Sequence, residues 1–233
     1  MTPVGVIEGG YPDKFGVPRQ PGLAPSATAT LRLLPPFAER DAVRGLEQFS
    51  HLWLTFVFHH SPERWTPLVR PPRLGGNAKI GVFASRATHR PNRIGLSLVE
   101  LVRIELDGGV RLQLRGHDLV DGTPILDIKP YLPWADHAEQ ARAGFAPEPP
   151  PRRGVSFSAE AQQALAERAD GRTLMRLIEE VLAQDPRPAY HRTKGASGRD
   201  YGVFLSDVNV RFRALEADDD DAGQLHVISI ARR

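Results

Sequence analysis

Two adjacent histidines, His59 and His60, end a long apolar run, residues 49–60 (FSHLWLTFVFHH). Imidazole titrates close to neutral pH, so a histidine at the open end of a strand could accept a proton from a substrate. The same pattern also fits a buried strand whose last residues are simply polar. Residue type alone leaves both interpretations open.

Three further blocks carry arginine, asparagine or aspartate among proline and glycine. They are residues 14–22 (KFGVPRQPG), residues 70–97, which include PPRLGGN and GVFASRATHRPNRIGLS, and residues 118–133 (DLVDGTPILDIKPYLP). Loops on a rigid scaffold carry most binding residues, and a purely structural barrel rarely needs charged side chains at such strand ends. We therefore expect ligands to bind at these blocks.

The basic residues are unevenly placed, although 30 Lys and Arg against 28 Asp and Glu leave a net charge of only +2. No acidic residue lies between Glu63 and Glu100. Such a window is typical of a surface that faces a polyanion, because arginine and lysine neutralise phosphates. A GC-rich coding bias would explain arginine in place of lysine, but not the missing carboxylates. The basic residues in this window are Arg64, Arg70, Arg73, Lys79, Arg86, Arg90 and Arg93.

Composition excludes several classes of protein. The chain has no cysteine, which removes disulfides, thiolate metal sites and cysteine nucleophiles. A hydrophobic content of 41% over 233 residues supports a sizeable core. No apolar run is long enough for a membrane span, and the first residues lack a signal-peptide pattern, so we expect a cytoplasmic protein. The acidic run at residues 218–221 is interpreted as a solvated hairpin loop, and no metal is expected.

A period-2 pattern dominates the first 130 residues and predicts seven short strands. Asp107-Gly108-Gly109 indicates a hairpin turn, because glycine tolerates positive φ. One helical stretch, Arg40–Gln48, interrupts the strands. A closed barrel would leave no exposed edges, so the fold class is mainly β, with a seven-stranded barrel-like domain. The predicted strands are Val4–Ile7, Ala27–Leu33, Phe49–His59, Lys79–Ala84, Leu96–Leu106, Val110–Leu114 and Ile125–Ile128.

Composition changes after the barrel. Residues 144–154 form a Pro-rich linker between a barrel domain at residues 1–143 and a small C-terminal α+β domain at residues 155–233. Helical periodicity predicts helices over Ala159–Ala169, with Ser158 as N-cap, and Thr173–Ala183. The strands predicted to follow are Gly202–Leu205, Val208–Leu215 and Leu225–Ile230.

The blocks FGVPRQPGL, FSHLWL, PPRLGGN, GVFASR, HRPNRIGLS and DGTPILDIKPYLP, in this order, resemble the TrmO (TsaA-like) family of S-adenosylmethionine-dependent tRNA methyltransferases. The resemblance continues through residues 185–190 (DPRPAY) and so spans nearly the whole chain. Arg93 departs from the family pattern, which has proline there. The resemblance implies a barrel-like enzyme rather than a Rossmann one, and no strand of this chain is followed by G-x-G-x-x-G.

The resemblance further implies methylation of N6 of N6-threonylcarbamoyladenosine at tRNA position 37, by a homodimer. For the cofactor, Arg19 or Arg86 would bind the carboxylate, Asp121 the ribose or ammonium, and Leu96 the adenine. Arg86 could instead contact phosphate, and Asp121 could be a turn residue. The implied cofactor-binding residues are Pro18, Arg19, Gln20, His59, His60, Arg86, Leu96, Asp121, Gly122, Thr123, Pro124 and Ile125.

The methylated nitrogen has a delocalised lone pair, so a base should assist the reaction. The candidates are His59, His60, Asp121 and Asp127; the two histidines are favoured, because Asp127 is expected to pair with Lys129. The predicted RNA-binding residues are Arg70, Arg73, Arg90, Arg93, Arg187, Tyr190, Arg192, Lys194 and Arg199.

Two other functions remain open at this stage. A non-catalytic Arg-rich RNA-binding β-barrel would need only the basic surface. A hydrolase would use Ser85 or Ser97 with His89, but neither serine lies in a G-x-S-x-G turn. Binding of S-adenosylmethionine separates the methyltransferase from both.

Overall fold

The structure is a computed structural model and describes residues 1–75, 77–188, 198–215 and 223–232. These residues pack as two compact units. Unit 1 comprises Met1–Glu8, Thr30–Leu114 and Gly122–Pro149, and unit 2 comprises Gly9–Ala29, Arg115–Asp121 and Pro150–Arg233. Each unit therefore combines segments that are distant in sequence.

Six strands close into a barrel in the order β1-β2-β7-β6-β3-β8. Alternation along β3 buries Leu52, Leu54 and Phe56 inside the barrel, as a period-2 apolar pattern requires. The predicted hairpin is present, with Gly108 and Gly109 at φ +71° and +111° between β6 and β7. The barrel strands are β1 (Gly5–Glu8), β2 (Thr28–Leu33), β3 (His51–Val57), β6 (Ile94–Glu105), β7 (Arg111–Arg115) and β8 (Pro124–Pro130).

The barrel has six strands and not seven, because Lys79–Ala84 does not join it. Only β5 (Ile80–Gly81) is extended, and it pairs with β4 (Leu68–Val69) in a separate two-stranded ribbon. Residues Val82–Ala84 then form a 3₁₀ turn. Its pairing with β4 and this turn, and not its pattern of exposure, keep the segment out of the barrel.

The predicted helical stretch Arg40–Gln48 is two 3₁₀ turns, Arg40–Val43 and Leu46–Gln48. Gly45 separates them at φ +87°, in the left-handed region that interrupts a helix. After β8, a short helix α1 covers Pro133–Asp136.

Unit 2 contains a four-stranded sheet of order β10-β11-β12-β9 with two helices. The predicted N-cap is confirmed, because Ser158 Oγ accepts the Ala161 N–H at 3.0 Å. Sequence periodicity missed β9, a short strand at the end of the Pro-rich segment. The elements are β9 (Gly154–Phe157), α2 (Ala159–Ala166), α3 (Gly171–Leu182), β10 (Asp200–Leu205), β11 (Val208–Ala214) and β12 (Gln224–Arg232).

The N-terminal segment 9–29 completes the core of unit 2. Tyr11 and Ala24 are buried in one cluster with Ile178 of α3 and Phe212 of β11. The Glu180 carboxylate also accepts both the backbone N–H and the hydroxyl of Ser26, at 2.7 and 3.0 Å. The loop that carries the FGVPRQPGL block is therefore fixed by the C-terminal segment.

No helix within the described ranges is long and apolar enough to cross a membrane. The acidic run at residues 218–221 lies outside the described residues.

Candidate functional site

The two histidines lie in a sharp turn directly after β3. The Ser61 N–H donates to Phe58 O at 2.9 Å, and the His59 N–H donates to Val57 O at 2.8 Å. These bonds bring the imidazoles of His59 and His60 to a centroid distance of 3.9 Å with an interplanar angle of 39°. His59 is partly buried and His60 is exposed, so the two rings have different surroundings.

Gly122, from the DGTP block, lies beside His59. It adopts φ +75°, and a Cβ built on it would lie 3.9 Å from His59 Nε2. Among the described residues, no other atom outside its chain neighbours comes within 4 Å of that Cβ position. Unit 1 therefore brings together two motifs that are far apart in the chain and leaves open space beside them.

The rest of the DGTP block is part of the barrel wall. Thr123 is 3% exposed and Ile125 is fully buried, while Pro124 begins β8. The Ile125 carbonyl accepts the Val4 N–H at 2.7 Å. The buried side chains of Thr123 and Ile125 support the Gly122 turn and are not at the surface.

Leu96 lies on the outer face of the barrel. It is 57% exposed and pairs with Thr55 of β3, which in turn pairs with Asp127 of β8. An exposed leucine in this row offers an apolar surface for a flat ring. Asp127 pairs with Lys129 at 2.7 Å, as expected from the sequence.

Residues 64–93, which we call the basic excursion, leave the barrel between β3 and β6. Arg70, Arg73 and Arg86 on it are exposed, and Arg73 also donates to the carbonyl of Glu148. Arg90 is partly buried and donates to Ser85 O at 2.8 Å. Of the predicted RNA-binding residues of unit 1, Arg70 and Arg73 are therefore exposed, whereas Arg90 makes hydrogen bonds within the loop.

Arg93 fastens the end of the basic excursion. Its guanidinium donates to Ser61 O at 3.3 Å and lies 3.5 Å from a Glu63 oxygen. Its backbone is at φ +52°, and its N–H donates to Arg90 O at 3.1 Å. A proline has neither that φ nor an N–H, so this backbone conformation requires a residue other than proline at position 93.

In unit 2, Arg19 lines a cavity of about 100 Å³ together with Arg153, Gln184 and Asp185. Burial lowers the pKa of the Arg19 guanidinium, and the nearby Asp185 carboxylate acts in the opposite direction. The neighbouring Pro18 is buried. The side-chain amide of Gln20 donates to the Arg19 carbonyl.

Asp121 shapes the loop around it. One carboxylate oxygen accepts the Gly9 N–H at 2.8 Å, and the Asp121 N–H donates to Tyr11 O at 2.9 Å. The side chain is exposed. The interpretation of Asp121 as a turn residue therefore has direct structural support, while its exposed carboxylate can still accept a further hydrogen bond.

Arg187, predicted as an RNA contact, belongs to the interior of unit 2. It is 4% exposed, and its guanidinium donates to both Asp185 oxygens at 2.7 and 2.9 Å. Arg153 donates to Asp185 at 2.8 Å. Arg199 is exposed and lies 5.6 Å over the Tyr201 ring. Tyr190, Arg192 and Lys194 lie outside the described residues.

The sequence reasoning missed Phe83, the middle residue of the Val82–Ala84 turn, which is 76% exposed. The signal in the sequence was the motif GVFASR, which places an aromatic residue within the acid-free window. Among the described residues no group of three His, Asp or Glu side chains is arranged to hold a metal ion.

The chain combines a closed β-barrel, whose loops carry histidines and arginines, with an α+β unit. These features define a class of two-unit proteins that lack the Rossmann fold. A family model described as the tRNA-methyltransferase O N-terminal domain matches residues 6–137. A second model, described as the TrmO C-terminal domain, matches residues 150–233. The chain belongs to the TrmO family.

Individual relatives agree with this assignment. An Escherichia coli K12 protein named "tRNA (adenine(37)-N6)-methyltransferase" is 53% identical over 220 residues, 92% of each chain. A Pseudomonas aeruginosa PAO1 protein named "Putative S-adenosylmethionine-dependent methyltransferase RcsF" is 51% identical over 221 residues, 94% of each chain. A crystal structure of TrmO from P. aeruginosa superposes with a TM-score of 0.79 at 43% identity, covering 100% of this chain and 96% of that one.

Proposed function

We propose that this protein transfers a methyl group from S-adenosylmethionine to N6 of N6-threonylcarbamoyladenosine at position 37 of tRNA. Family membership supports the proposal, as does the name of the E. coli relative, which shares 53% of the aligned residues. The observation that carries it is the approach of His59 to Gly122, because an imidazole beside open backbone is suited to accept a proton.

The residues of unit 1 fit the proposed cofactor. The absence of a side chain at Gly122 leaves room for a ligand beside His59, and the exposed Leu96 offers an apolar surface suited to adenine. Arg86 is an exposed cation suited to a carboxylate. Within unit 2, considered by itself, Arg19 offers an exposed cation and Asp121 an exposed acceptor.

When bound, S-adenosylmethionine supplies an electrophilic methyl group on its sulfonium. The N6–CH₃ bond forms as the S–CH₃ bond breaks, and the N6 proton must leave. The protein's task is then to hold N6 in line with the methyl group and to remove that proton, because orientation supplies much of the rate and a general base adds to it.

We assign proton removal to the histidine pair and place His59 nearer the reaction. Its Nε2 is next to Gly122, whereas His60 is exposed. Asp127 is less suited, since its carboxylate already pairs with Lys129. The His60 ring lies beside His59, with the ring centroids 3.9 Å apart.

The proposal includes a homodimer, as the family resemblance implies, and a cytoplasmic location, where tRNA is found. A non-catalytic RNA-binding barrel is the competing function. It would bind tRNA with no requirement for S-adenosylmethionine.

The deciding experiment incubates the purified protein with S-adenosylmethionine and tRNA that carries N6-threonylcarbamoyladenosine, followed by mass spectrometry of the nucleosides. We expect that nucleoside alone to gain the mass of one CH₂ unit, because a methyl group replaces the N6 hydrogen. Transfer RNA lacking the threonylcarbamoyl group is the control and should stay unmodified. Binding of tRNA without methylation, and without calorimetric binding of S-adenosylmethionine, would favour the RNA-binding barrel.

A further inference from the structure

Phe83 extends a large apolar ring into solvent. It is 76% exposed, while its neighbour Val82 is 2% exposed. Trp65 and Leu68, 44% and 50% exposed, lie on the same basic excursion, and Leu68 pairs with Gly81, two residues before Phe83. A single exposed apolar residue is ordinary, but several on one segment of the chain indicate a binding surface.

The turn that carries Phe83 is fixed on both sides. The Val82 N–H donates to Pro67 O at 2.9 Å. The Ser85 hydroxyl donates to Val82 O at 2.9 Å, and the Ser85 N–H reaches the same carbonyl at 3.2 Å. The aromatic ring is therefore presented by an ordered backbone, which reduces the entropy lost when a ligand binds.

Arg90 supports this turn from the other end of the GVFASRATHR block. Its guanidinium donates to Ser85 O at 2.8 Å and to Val82 O at 3.3 Å. The same group lies 5.9 Å from the centroid of the Phe83 ring, within cation–π distance. Arg90 thus acts as a positioning residue for Phe83 as well as a positive charge.

The charge around Phe83 indicates what binds there. The basic excursion carries all seven of the basic residues in the acid-free window between Glu63 and Glu100. A flat apolar ring beside Arg90, on a segment rich in basic residues and without acidic ones, suits a ligand that combines phosphates with planar rings. Unpaired RNA is such a ligand. A protein partner bound through apolar contact alone would have no use for this charge.

We propose that Phe83 stacks on an unpaired base of the tRNA anticodon loop and so positions the loop for methylation. This inference rests on the proposed function. Stacking on an aromatic ring tolerates any base, so Phe83 contributes affinity and orientation, and base identity is selected elsewhere.

The test compares Phe83→Leu, Phe83→Tyr and wild-type protein for binding of an anticodon stem-loop, measured by fluorescence anisotropy. Leucine keeps the apolar character but has no aromatic face, and we expect binding to weaken about tenfold. Tyrosine should bind within about threefold of wild type. Trp134→Ala removes another exposed aromatic residue, 84% exposed, and serves as the matched control with unchanged binding.

A second measurement locates the contact. Stem-loops with 5-iodouridine at successive loop positions are irradiated with the full-length protein, and the crosslinked peptide is identified by mass spectrometry. We expect a crosslink to the peptide containing Phe83 at one or two positions.

Unchanged RNA binding by Phe83→Leu, while wild-type protein methylates tRNA normally, would overturn the stacking role and leave the proposed function intact. Weaker RNA binding accompanied by loss of the dimer on size exclusion would also overturn it, since the ring would then contact a second copy of the chain. Absence of methylation by wild-type protein would count against the proposed function itself.

Discussion

His59 and His60 occupy neighbouring positions with different surroundings, and their variants should differ accordingly. Replacing both by alanine should lower single-turnover methyl transfer at least about tenfold, because general-base assistance is lost. Affinity for S-adenosylmethionine, measured by calorimetry, should fall much less. The single variant His59→Gln should show most of the loss in the rate of methyl transfer, because the imidazole of His59 lies beside Gly122.

Equal losses in affinity and rate would make the histidines cofactor ligands only. A wild-type rate that does not change between about pH 6 and pH 9 would argue against a titrating base.

His117 links the stability of unit 2 to pH. The side chain is fully buried against Tyr11, with ring centroids 5.0 Å apart, and burial lowers its pKa from 6.5 to about 4. Between these values the unfolded chain binds a proton that the folded chain does not, so stability falls as pH falls. We expect a loss of about 3 kcal/mol from this residue between pH 7 and pH 4.

Urea denaturation at several pH values measures this effect. Between pH 7 and pH 4, His117→Gln should lose about 3 kcal/mol less free energy of unfolding than wild type, whatever its stability at neutral pH. His51→Gln, a change at an exposed histidine, is the control that should keep the wild-type slope. An identical slope in His117→Gln would show that other groups cause the acid sensitivity.

Residue types predicted some of these roles better than others. The Asp127–Lys129 pair follows from spacing along one strand, where alternate residues share a face. The burial of Arg187 could not be predicted, because it depends on Asp185 becoming an interior carboxylate. The contact of Phe83 with Arg90 could not be predicted either, because it depends on the conformation of the Val82–Ala84 turn.

At the scale of elements, the contact between β3 and β6 depends on a missing side chain. A Cβ at Gly95 would lie 2.6 and 2.7 Å from the two Cε atoms of the Phe56 ring, closer than carbon atoms approach. Gly95→Ala should therefore destabilise the barrel by about 1–3 kcal/mol, as overpacking does. It should also disturb Leu96, the next residue on β6.

Chemical denaturation followed by tryptophan fluorescence would measure the change. Gly81→Ala provides the comparison, because Gly81 has an ordinary φ of −60° and no atom of the described part of the chain lies within 4 Å of the added methyl group. Its stability should stay within about 1 kcal/mol of wild type. Equal effects at the two glycines would contradict the packing argument.

Sequence patterns predicted elements that depend on local signals. Six of the seven predicted barrel strands, the glycine hairpin and the Ser158 N-cap all belong to this group. Lys79–Ala84 has the composition of a strand, but among the described residues it pairs only through Ile80 and Gly81, with the two residues of β4. Composition does not indicate which strand a segment will pair with. The short strand β9 follows a run of prolines, and its pairing with β12 is equally non-local.

For the whole molecule, tRNA affinity should depend on salt. If about four of the seven basic residues of the excursion contact phosphates, log K against log salt should have a slope of roughly −3, at about −0.7 for each single-strand phosphate. Because this contribution is independent of sequence, tRNA without N6-threonylcarbamoyladenosine should bind almost as tightly. Filter binding over a series of salt concentrations measures the slope, and an affinity that salt does not change would contradict the electrostatic role of the excursion.

Unit 2 is formed by segments that lie far apart in the sequence, and this affects how it folds during synthesis. Residues 9–29 are synthesised well before their buried partners on α3 and β11. The connection between β1 and β2 must therefore wait for the C-terminal segment before it is ordered. Contacts of such long sequence separation slow folding. Early in synthesis the chain should thus expose apolar residues such as Tyr11, which makes nascent chains a natural substrate for chaperones.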